Sequence, residues 1–311
     1  MARPTLISAP TTSFGDPSGG SYNSVFVTDD RVAAVSDGHV SLWARASGEL
    51  LRSIPTPAGQ AGVTLTPRLD ALITEGGPTK VSGELRSLTV WSLDGLTELG
   101  SDDFPGGHPA VSFAPDGAVL VRGRALGGDG YTWRCDADLT RRLRFPAFDP
   151  GPLEPLFERF QREIAAPRAR ITGAALGTDV LALLVDGHVR LLSLPSLDPL
   201  WSIPLRGLGS AVFVGPQRQV VVGALQKAIC LGEGGAVLWE AKLPRKNAWS
   251  IVGSENGETL VLDTQIALRA ASGAVRAVLP GNRAPQAISP DGRIVASADG
   301  APGVVNLYEL P

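Results

Sequence analysis

The tripeptide Asp-Gly-His occurs twice in the chain, at 37–39 and at 186–188. Imidazole beside carboxylate is a combination used for metal binding and for general base catalysis. Asp and Gly are also the residues that tight hairpins require, where the Asp side chain accepts backbone N–H bonds. The chain has only three histidines, and a metal or general-base role would need further residues that converge on the motif. We therefore expect His39 and His188 to begin strands and to take no part in catalysis.

Other acidic residues also stand in turn-forming sequences. Asp116 and Asp291 each lie between proline and glycine, where proline presets the backbone and glycine supplies positive φ. Asp136 and Asp138 alternate as in a calcium-binding loop but lack its glycine and its final glutamate. No glycine-rich phosphate loop of either standard spacing is present. We predict turn roles for Asp116 and Asp291, and we expect no catalytic residue, no metal site and no cofactor.

The two cysteines lie far apart in apolar, strand-like segments. Cys135 follows Tyr-Thr-Trp-Arg, and Cys230 stands between Ala-Ile and Leu. Two thiols cannot complete a zinc site without further ligands. We predict that both are buried free thiols.

Composition and charge narrow the class of protein. The 311 residues are 43% hydrophobic and 19% charged, which is typical of a globular chain with a large core. The formal charge of −3 does not indicate nucleic acid or anionic membranes as partners. Prolines interrupt the first ten residues, and no apolar run reaches the length of about 18 residues that a membrane span needs. We expect a cytoplasmic protein, and its four lysines among abundant Ala, Gly and Pro suggest a bacterial source.

Short strand-like runs separated by turn residues repeat along the whole chain. The clearest unit holds four of them, at 24–28, 31–36, 39–44 and 50–54, each of ordinary strand length. The same cadence returns at 62–99, 110–145, 171–205, 210–243, 248–279 and 285–310. Seven four-stranded units predict an all-β fold, a seven-bladed β-propeller that spans 1–311 as one domain.

The ends of the chain indicate how such a ring closes. The seventh unit supplies only three strands, the last at 304–310, and an unassigned strand at 4–8 is left over at the N-terminus. An open array would expose a sheet edge to aggregation. We therefore expect residues 4–8 to complete the last blade.

The units resemble the repeats of the WD40 family. The resemblance rests on a Ser/Ala-Pro-Asp-Gly turn, an Asp-Gly turn, and a third strand that ends in an aromatic residue, as at Trp43, Trp91 and Tyr308. It covers nearly the whole chain, but the Trp-Asp dipeptide never occurs and a Gly-His pair opens a repeat only at 107–108. Later units, with Trp201 and Trp239, look more like quinoprotein-type repeats.

Three insertions interrupt the repeat, at 75–86, 123–129 and 147–168. In propellers of the family that the chain resembles, the connections between blades and the hairpins from second to third strand share one end of the ring. We call this end the top face. The resemblance places all three insertions there, and loops on a rigid scaffold are common places for binding sites.

The longest insertion has helical periodicity. Leu156, Phe157, Phe160 and Ile164 follow the period of an α-helix, which predicts one amphipathic helix at about 153–166. Its other face mixes charges, which disfavours contact with a membrane. Two interpretations stay open: the phenylalanines pack onto the ring, or the helix docks a protein partner.

These observations predict a non-catalytic scaffold that binds a protein partner through the top face. Aromatic residues and arginine carry much of the energy of protein interfaces, and the candidates are Phe157, Phe160, Arg159, Arg162, Arg122, Arg124 and Arg245. A wider basic rim, which would suit an acidic partner, adds Arg168, Arg170, Arg206, Lys246 and Arg283. The alternative is an enzyme, or a protein that binds a metal or a small molecule, similar to lactonase propellers and using the central channel.

Overall fold

The computed structural model describes residues 5–7, 9–16, 21–36, 38–78, 85–105, 107–113, 117–124, 130–145, 171–243, 250–262, 266–280, 286–298 and 301–311. Within these ranges the regular elements are β-strands and one 3₁₀ turn, Glu233–Gly235, so the predicted all-β class is confirmed. The helix predicted at about 153–166 lies outside the described residues. No helix in the described ranges has the length and apolar character to cross a membrane.

Seven sheets follow one another along the chain, each with four antiparallel strands, and we number them as blades 1 to 7. From the innermost to the outermost strand, the first three blades are Tyr22–Val27, Arg31–Ser36, His39–Ala44 and Leu50–Pro55; Gln60–Leu65, Ala71–Pro78, Leu85–Ser92 and Glu98–Pro105; Gly107–Phe113, Val119–Arg124, Gly130–Cys135 and Arg141–Phe145. Blades 4 and 5 are Ile171–Leu176, Val180–Val185, His188–Ser193 and Pro199–Pro204; Leu208–Val214, Val220–Ala224, Lys227–Leu231 and Val237–Lys242. Blades 6 and 7 are Ile251–Gly253, Thr259–Leu262, Ile266–Arg269 and Val275–Val278; Gln286–Ile288, Ile294–Ser297, Val304–Glu309 and Thr12–Gly15.

The N-terminal segment closes the ring, but not with the strand that the sequence indicated. The outermost strand of blade 7 is Thr12–Gly15, antiparallel to the third strand of that blade. The segment at 4–8 instead contributes Thr5–Leu6, which pairs in parallel with Val275–Val278 of blade 6. The predicted N-terminal closing strand is confirmed, and its position at 4–8 is wrong. Blade 7 takes an antiparallel strand with a buried residue at its centre, and Phe14 meets that requirement.

The core is divided among the seams between neighbouring blades. In the described part of the chain, the buried apolar residues form seven clusters, one at each seam. At the seam between blades 7 and 1, Phe14 stacks on Trp43 with ring centroids 6.1 Å apart, and Tyr22 meets Trp43 edge-on at 6.2 Å. Phe14 lies on the closing strand, so closure buries aromatic surface as well as pairing backbone.

The aromatic residues that suggested the repeat occupy two sets of positions. Trp43, Trp91 and Tyr308 each pair with the second residue of the preceding strand, so they are equivalent, as predicted. Trp201 and Trp239 lie instead on fourth strands, each just after a β-bulge. The first set packs at the seam with the preceding blade, and Trp201 and Trp239 pack at the seam with the following blade.

Candidate functional site

Backbone hydrogen bonds define the top face. The amide of Leu205, between blades 4 and 5, donates to the carbonyl oxygen of Gly187 in the second hairpin of blade 4 at 2.8 Å. The carbonyl oxygen of Gly207 accepts in the same way from the amide of Leu225 in blade 5 at 3.0 Å. Connections between blades and second hairpins therefore share one end of the ring, as the resemblance implied.

The strands beside the two shorter insertions run further than the sequence indicated. In blade 2 the second strand continues to Pro78 and the third begins at Leu85. In blade 3 the corresponding strands end at Arg124 and begin at Gly130. Strand residues therefore occupy parts of both predicted insertions, at 75–78, 85–86 and 123–124. The loop tips, and the interval 146–170, lie outside the described residues.

Arg122 is the candidate binding residue whose side chain the structure places. It lies on the second strand of blade 3, and its Nη1 donates a 3.1 Å hydrogen bond to the carbonyl oxygen of Thr172 on blade 4. Burial lowers the pKa of Arg122 below its ordinary value, since desolvation disfavours the charged form. Arg122 therefore braces the seam at which the chain re-enters the ring after the longest insertion.

The other candidates are placed only in part. The backbone of Arg124 pairs with Gly107 and Gly130 at the end of its strand. Arg206 is exposed in the connection between blades 4 and 5. The remaining candidates lie outside the described residues: Phe157, Arg159, Phe160, Arg162, Arg168, Arg170, Arg245, Lys246 and Arg283.

Gly38 and His39, and the motif at 186–188, lie at second hairpins on the top face. His39 and His188 each begin the third strand of their blade, as predicted. His188 Nδ1 lies 3.1 Å from the carbonyl oxygen of Asp186, and the His39 amide donates to Ser36 Oγ at 3.1 Å. Among the residues that the structure describes, no three His, Cys, Asp or Glu side chains are grouped as metal ligands. The contacts of both histidines are those of turns and strand ends.

Hydroxyl groups shape the first hairpins at the opposite end of the ring, the bottom face. Ser289 Oγ donates to Asp291 Oδ1 at 2.5 Å, and Ser254 Oγ donates to Asn256 Oδ1 at 2.6 Å in the blade before. The bond from Ser289 is the main cause that lowers the pKa of Asp291. The prediction that Asp291 is a turn residue is confirmed, whereas Asp116 lies outside the described residues.

The Cys-Asp-Ala-Asp segment is a strand end followed by a turn. The amide of Thr140 donates to Asp138 Oδ1 at 2.9 Å, and the Asp136 amide donates to the Thr140 carbonyl oxygen at 2.9 Å. Cys135 and Cys230 are buried free thiols, as predicted. Burial raises the pKa of Cys230 to about 11, so this thiol is a core residue and a poor nucleophile at neutral pH.

The innermost strands determine what the channel can bind. The seven innermost strands, all within the described ranges, contain no aspartate, glutamate or cysteine. Their single histidine is His108, whose side chain lies outside the described residues. A lactonase-like ring of carboxylates would therefore have to come from loops at the mouths of the channel.

A buried polar network that the sequence analysis missed lies at the seam between blades 7 and 1. Ser41 Oγ donates to Asp16 Oδ2 at 2.6 Å and lies 3.1 Å from the hydroxyl of Tyr22. Asp16 is 3% exposed and Ser41 is fully buried. Burial raises the pKa of Tyr22, and the charge of Asp16 adds to the effect. The only signal in the sequence is one aspartate in a stretch of Gly, Pro and Ser, and its burial makes it a closing contact rather than a reactive site.

A second polar chain supports the hairpin of blade 2. Trp91 Nε1 donates to Thr74 Oγ1 at 2.8 Å, and Thr74 Oγ1 donates to Gln60 Oε1 at 3.0 Å. Next to it, Arg86 Nε lies 3.5 Å from Glu75 Oε1, with both side chains largely buried. These contacts order the base of the insertion at 75–86.

Comparison with known proteins gives a structural likeness and no sequence match. No protein-family model matches the chain, and no curated protein matches it. Among solved structures, a chain of "Crystal Structure of Mitotic Checkpoint Complex" aligns with a TM-score of 0.65 over 100% of this chain and 98% of that chain, at 14% sequence identity. At this identity the likeness concerns the fold alone. The chain is a seven-bladed β-propeller.

Proposed function

We propose that this protein is a non-catalytic scaffold that binds a protein partner through the top face. The proposal rests on side-chain hydrogen bonds that fix the strands from which the insertions extend; we call these strands the base of the insertions. Arg122 ties blade 3 to blade 4 beside the longest insertion, and the chain from Trp91 to Gln60 orders the base of the first. Loops on a fixed base lose less conformational entropy when they bind.

The proposed contact residues come from the loops around this base. Phe157 and Phe160 would supply apolar anchors, with Arg159 and Arg162 beside them on the helix expected at about 153–166. Arg122, Arg124 and Arg245 would complete a basic surround, which favours an acidic surface on the partner. The two buried free thiols favour a reducing compartment such as the cytoplasm.

Two further observations support a scaffold over an enzyme of the channel. The innermost strands supply no carboxylate for a metal, whereas hydrolytic propellers of the lactonase type would need several. The structurally similar chain comes from the mitotic checkpoint complex, and this support is by analogy of fold.

The test is affinity purification from the native host with three tagged proteins. They are the natural chain, the double variant Phe157→Ala/Phe160→Ala, and Arg218→Ala as a control on the bottom face. We expect one stoichiometric partner with the natural chain and the control, and at least about tenfold less with the double variant. Absence of any partner, together with about one bound metal ion per chain by mass spectrometry, would overturn the proposal.

A second variant separates binding from folding. If Phe157→Ala/Phe160→Ala lowers the melting temperature, the phenylalanines pack on the ring. The variant Arg159→Glu/Arg162→Glu changes only the polar face of the expected helix. It should lose the partner at an unchanged melting temperature, and retention of the partner would count against the proposed surface.

A further inference from the structure

A short N-terminal strand covers the outer edge of blade 6. Thr5–Leu6 runs parallel to Val275–Val278, with Thr5 opposite Ala277 and Leu6 opposite Val278. The amide of Ile7 donates to the carbonyl oxygen of Val278 at 3.0 Å. Among the strands that the structure describes, this is the one blade with a fifth strand.

The side chains of this strand divide between two faces. Leu6 is 73% exposed, whereas Ile7 packs on the apolar cluster at the seam between blades 6 and 7. Ala277 occupies the position after the bulge that Trp201 and Trp239 hold on their own fourth strands. A methyl group fills less of the seam than an indole, and Ile7 adds apolar volume there.

We propose that the outer edge of blade 6 is a peptide-binding site, at which an extended segment of a partner protein replaces the chain's own N-terminal strand. The incoming segment would add a parallel strand to Val275–Val278 and place a branched apolar side chain where Ile7 lies. Sheet edges accept strands in this way because their backbone N–H and C=O groups are otherwise unpaired. This surface is separate from the top face and does not depend on the proposed function.

Two features support replacement of the N-terminal strand by a partner segment: its contact with blade 6 is small, and the closing strand that follows it is held separately. In the part of this segment that the structure describes, two residue pairs, the Ile7 amide bond and one apolar anchor hold the strand, so few contacts are lost when it leaves. The closing strand Thr12–Gly15 has its own partner strand in blade 7, so release of residues 5–7 does not open the ring.

The occupant that we assign is a segment of another protein and not a second copy of this chain. Residues 8–11 join the two N-terminal strands, and four residues span at most about 14 Å. If residues 5–7 paired with blade 6 of a second copy, so short a connection would force the outer edges of the two propellers into contact.

The test uses a fluorescently labelled peptide with the sequence of residues 4–10 and three full-length proteins. They are the natural chain, Ile7→Asp, and the matched control Leu6→Asp. A carboxylate in place of Ile7 releases the chain's own strand, whereas one in place of the exposed Leu6 does not. We expect the peptide to bind Ile7→Asp at least about tenfold more tightly than the other two, because its edge is vacant more of the time. Equal binding to all three would overturn the proposal.

Hydrogen exchange on the natural chain tests the proposal without a variant. The Ile7 amide should exchange by local opening, at least about a hundredfold faster than the amides of Ile266–Arg269 in the same blade. Exchange of Ile7 only through global unfolding would make the strand part of the core and would overturn the proposal. A concentration-dependent dimer that Ile7→Asp abolishes would assign the edge to a second copy, and so would overturn it too. Peptide binding should be unchanged in Phe157→Ala/Phe160→Ala, which separates this site from the top face.

Discussion

The hydroxyl of Ser41 donates a 2.6 Å hydrogen bond to the carboxylate of Asp16 across the seam where the ring closes. Asp16 directly follows the closing strand Thr12–Gly15, and Ser41 lies on the third strand of blade 1. The two residues meet only when blade 7 is complete. Their bond therefore reports on closure of the ring.

Ser41→Ala should weaken closure. It leaves a buried carboxylate without one of its donors, and we expect a loss of about 1.5–3 kcal/mol in the free energy of unfolding. The matched control is Ser13→Ala, which removes an exposed hydroxyl bonded to Asn306 Oδ1 at 2.7 Å in the same blade and should cost less than about 0.5 kcal/mol. Urea unfolding measures both. Equal losses of unfolding free energy in the two variants would show that the buried bond stabilises closure no more than the exposed one does.

Gly273→Ala should destabilise the seam between blades 5 and 6. Gly273 has φ +66°, and an added Cβ would overlap the indole ring of Trp239. Gly59 has φ +78° with nothing within 4 Å of an added Cβ, so Gly59→Ala carries the backbone strain alone, about 1–2 kcal/mol. Overpacking should add about 1–3 kcal/mol at Gly273. Thermal unfolding of both variants gives the difference, and equal melting temperatures would contradict the clash.

Arg122→Ala should destabilise the seam between blades 3 and 4. Loss of its hydrogen bond to the half-buried Thr172 carbonyl oxygen should cost about 1–3 kcal/mol. Arg218 forms an exposed ion pair with Asp179 between blades 4 and 5, and Arg218→Ala should cost no more than about 1 kcal/mol. Guanidinium chloride unfolding compares them. A loss at Arg122 as small as that at Arg218 would mean that its guanidinium does not brace the seam.

Stability should fall in alkaline solution through Cys230. Burial raises the pKa of this thiol to about 11 in the folded chain, above the value of about 8.5 in an unfolded one. The unfolded state releases the proton first, so the contribution of Cys230 is fully present below about pH 8 and is lost as pH rises toward about 11. Cys230→Ala should flatten the decline of the urea midpoint between about pH 8 and about pH 10.5. The same decline in both proteins would rule out this thiol as the cause.

The fold could be predicted because each blade repeats a local pattern. Strand-length apolar runs and turn residues such as those around Asp291 act within a few residues, so they are visible in the sequence. The same locality explains why His39 and His188 were predicted correctly to begin strands. The contacts of the candidate binding residues could not be predicted in this way, because they join residues that are far apart in the sequence. Arg122 is an example. Nothing near it in sequence reveals that Thr172, 50 residues away, accepts its hydrogen bond.

The amino-acid sequence by itself determined the seven-fold repeat and the use of an N-terminal strand to close it. The tertiary structure decided which N-terminal strand closes the ring, and that Asp16 is buried. Both segments at 4–8 and Thr12–Gly15 have strand-like composition, and local propensity does not distinguish them. Only contacts with residues almost 300 positions away, such as Thr12 opposite Leu307, separate the two. Those contacts form when the ring closes, and closure also brings Asp16 beside Ser41.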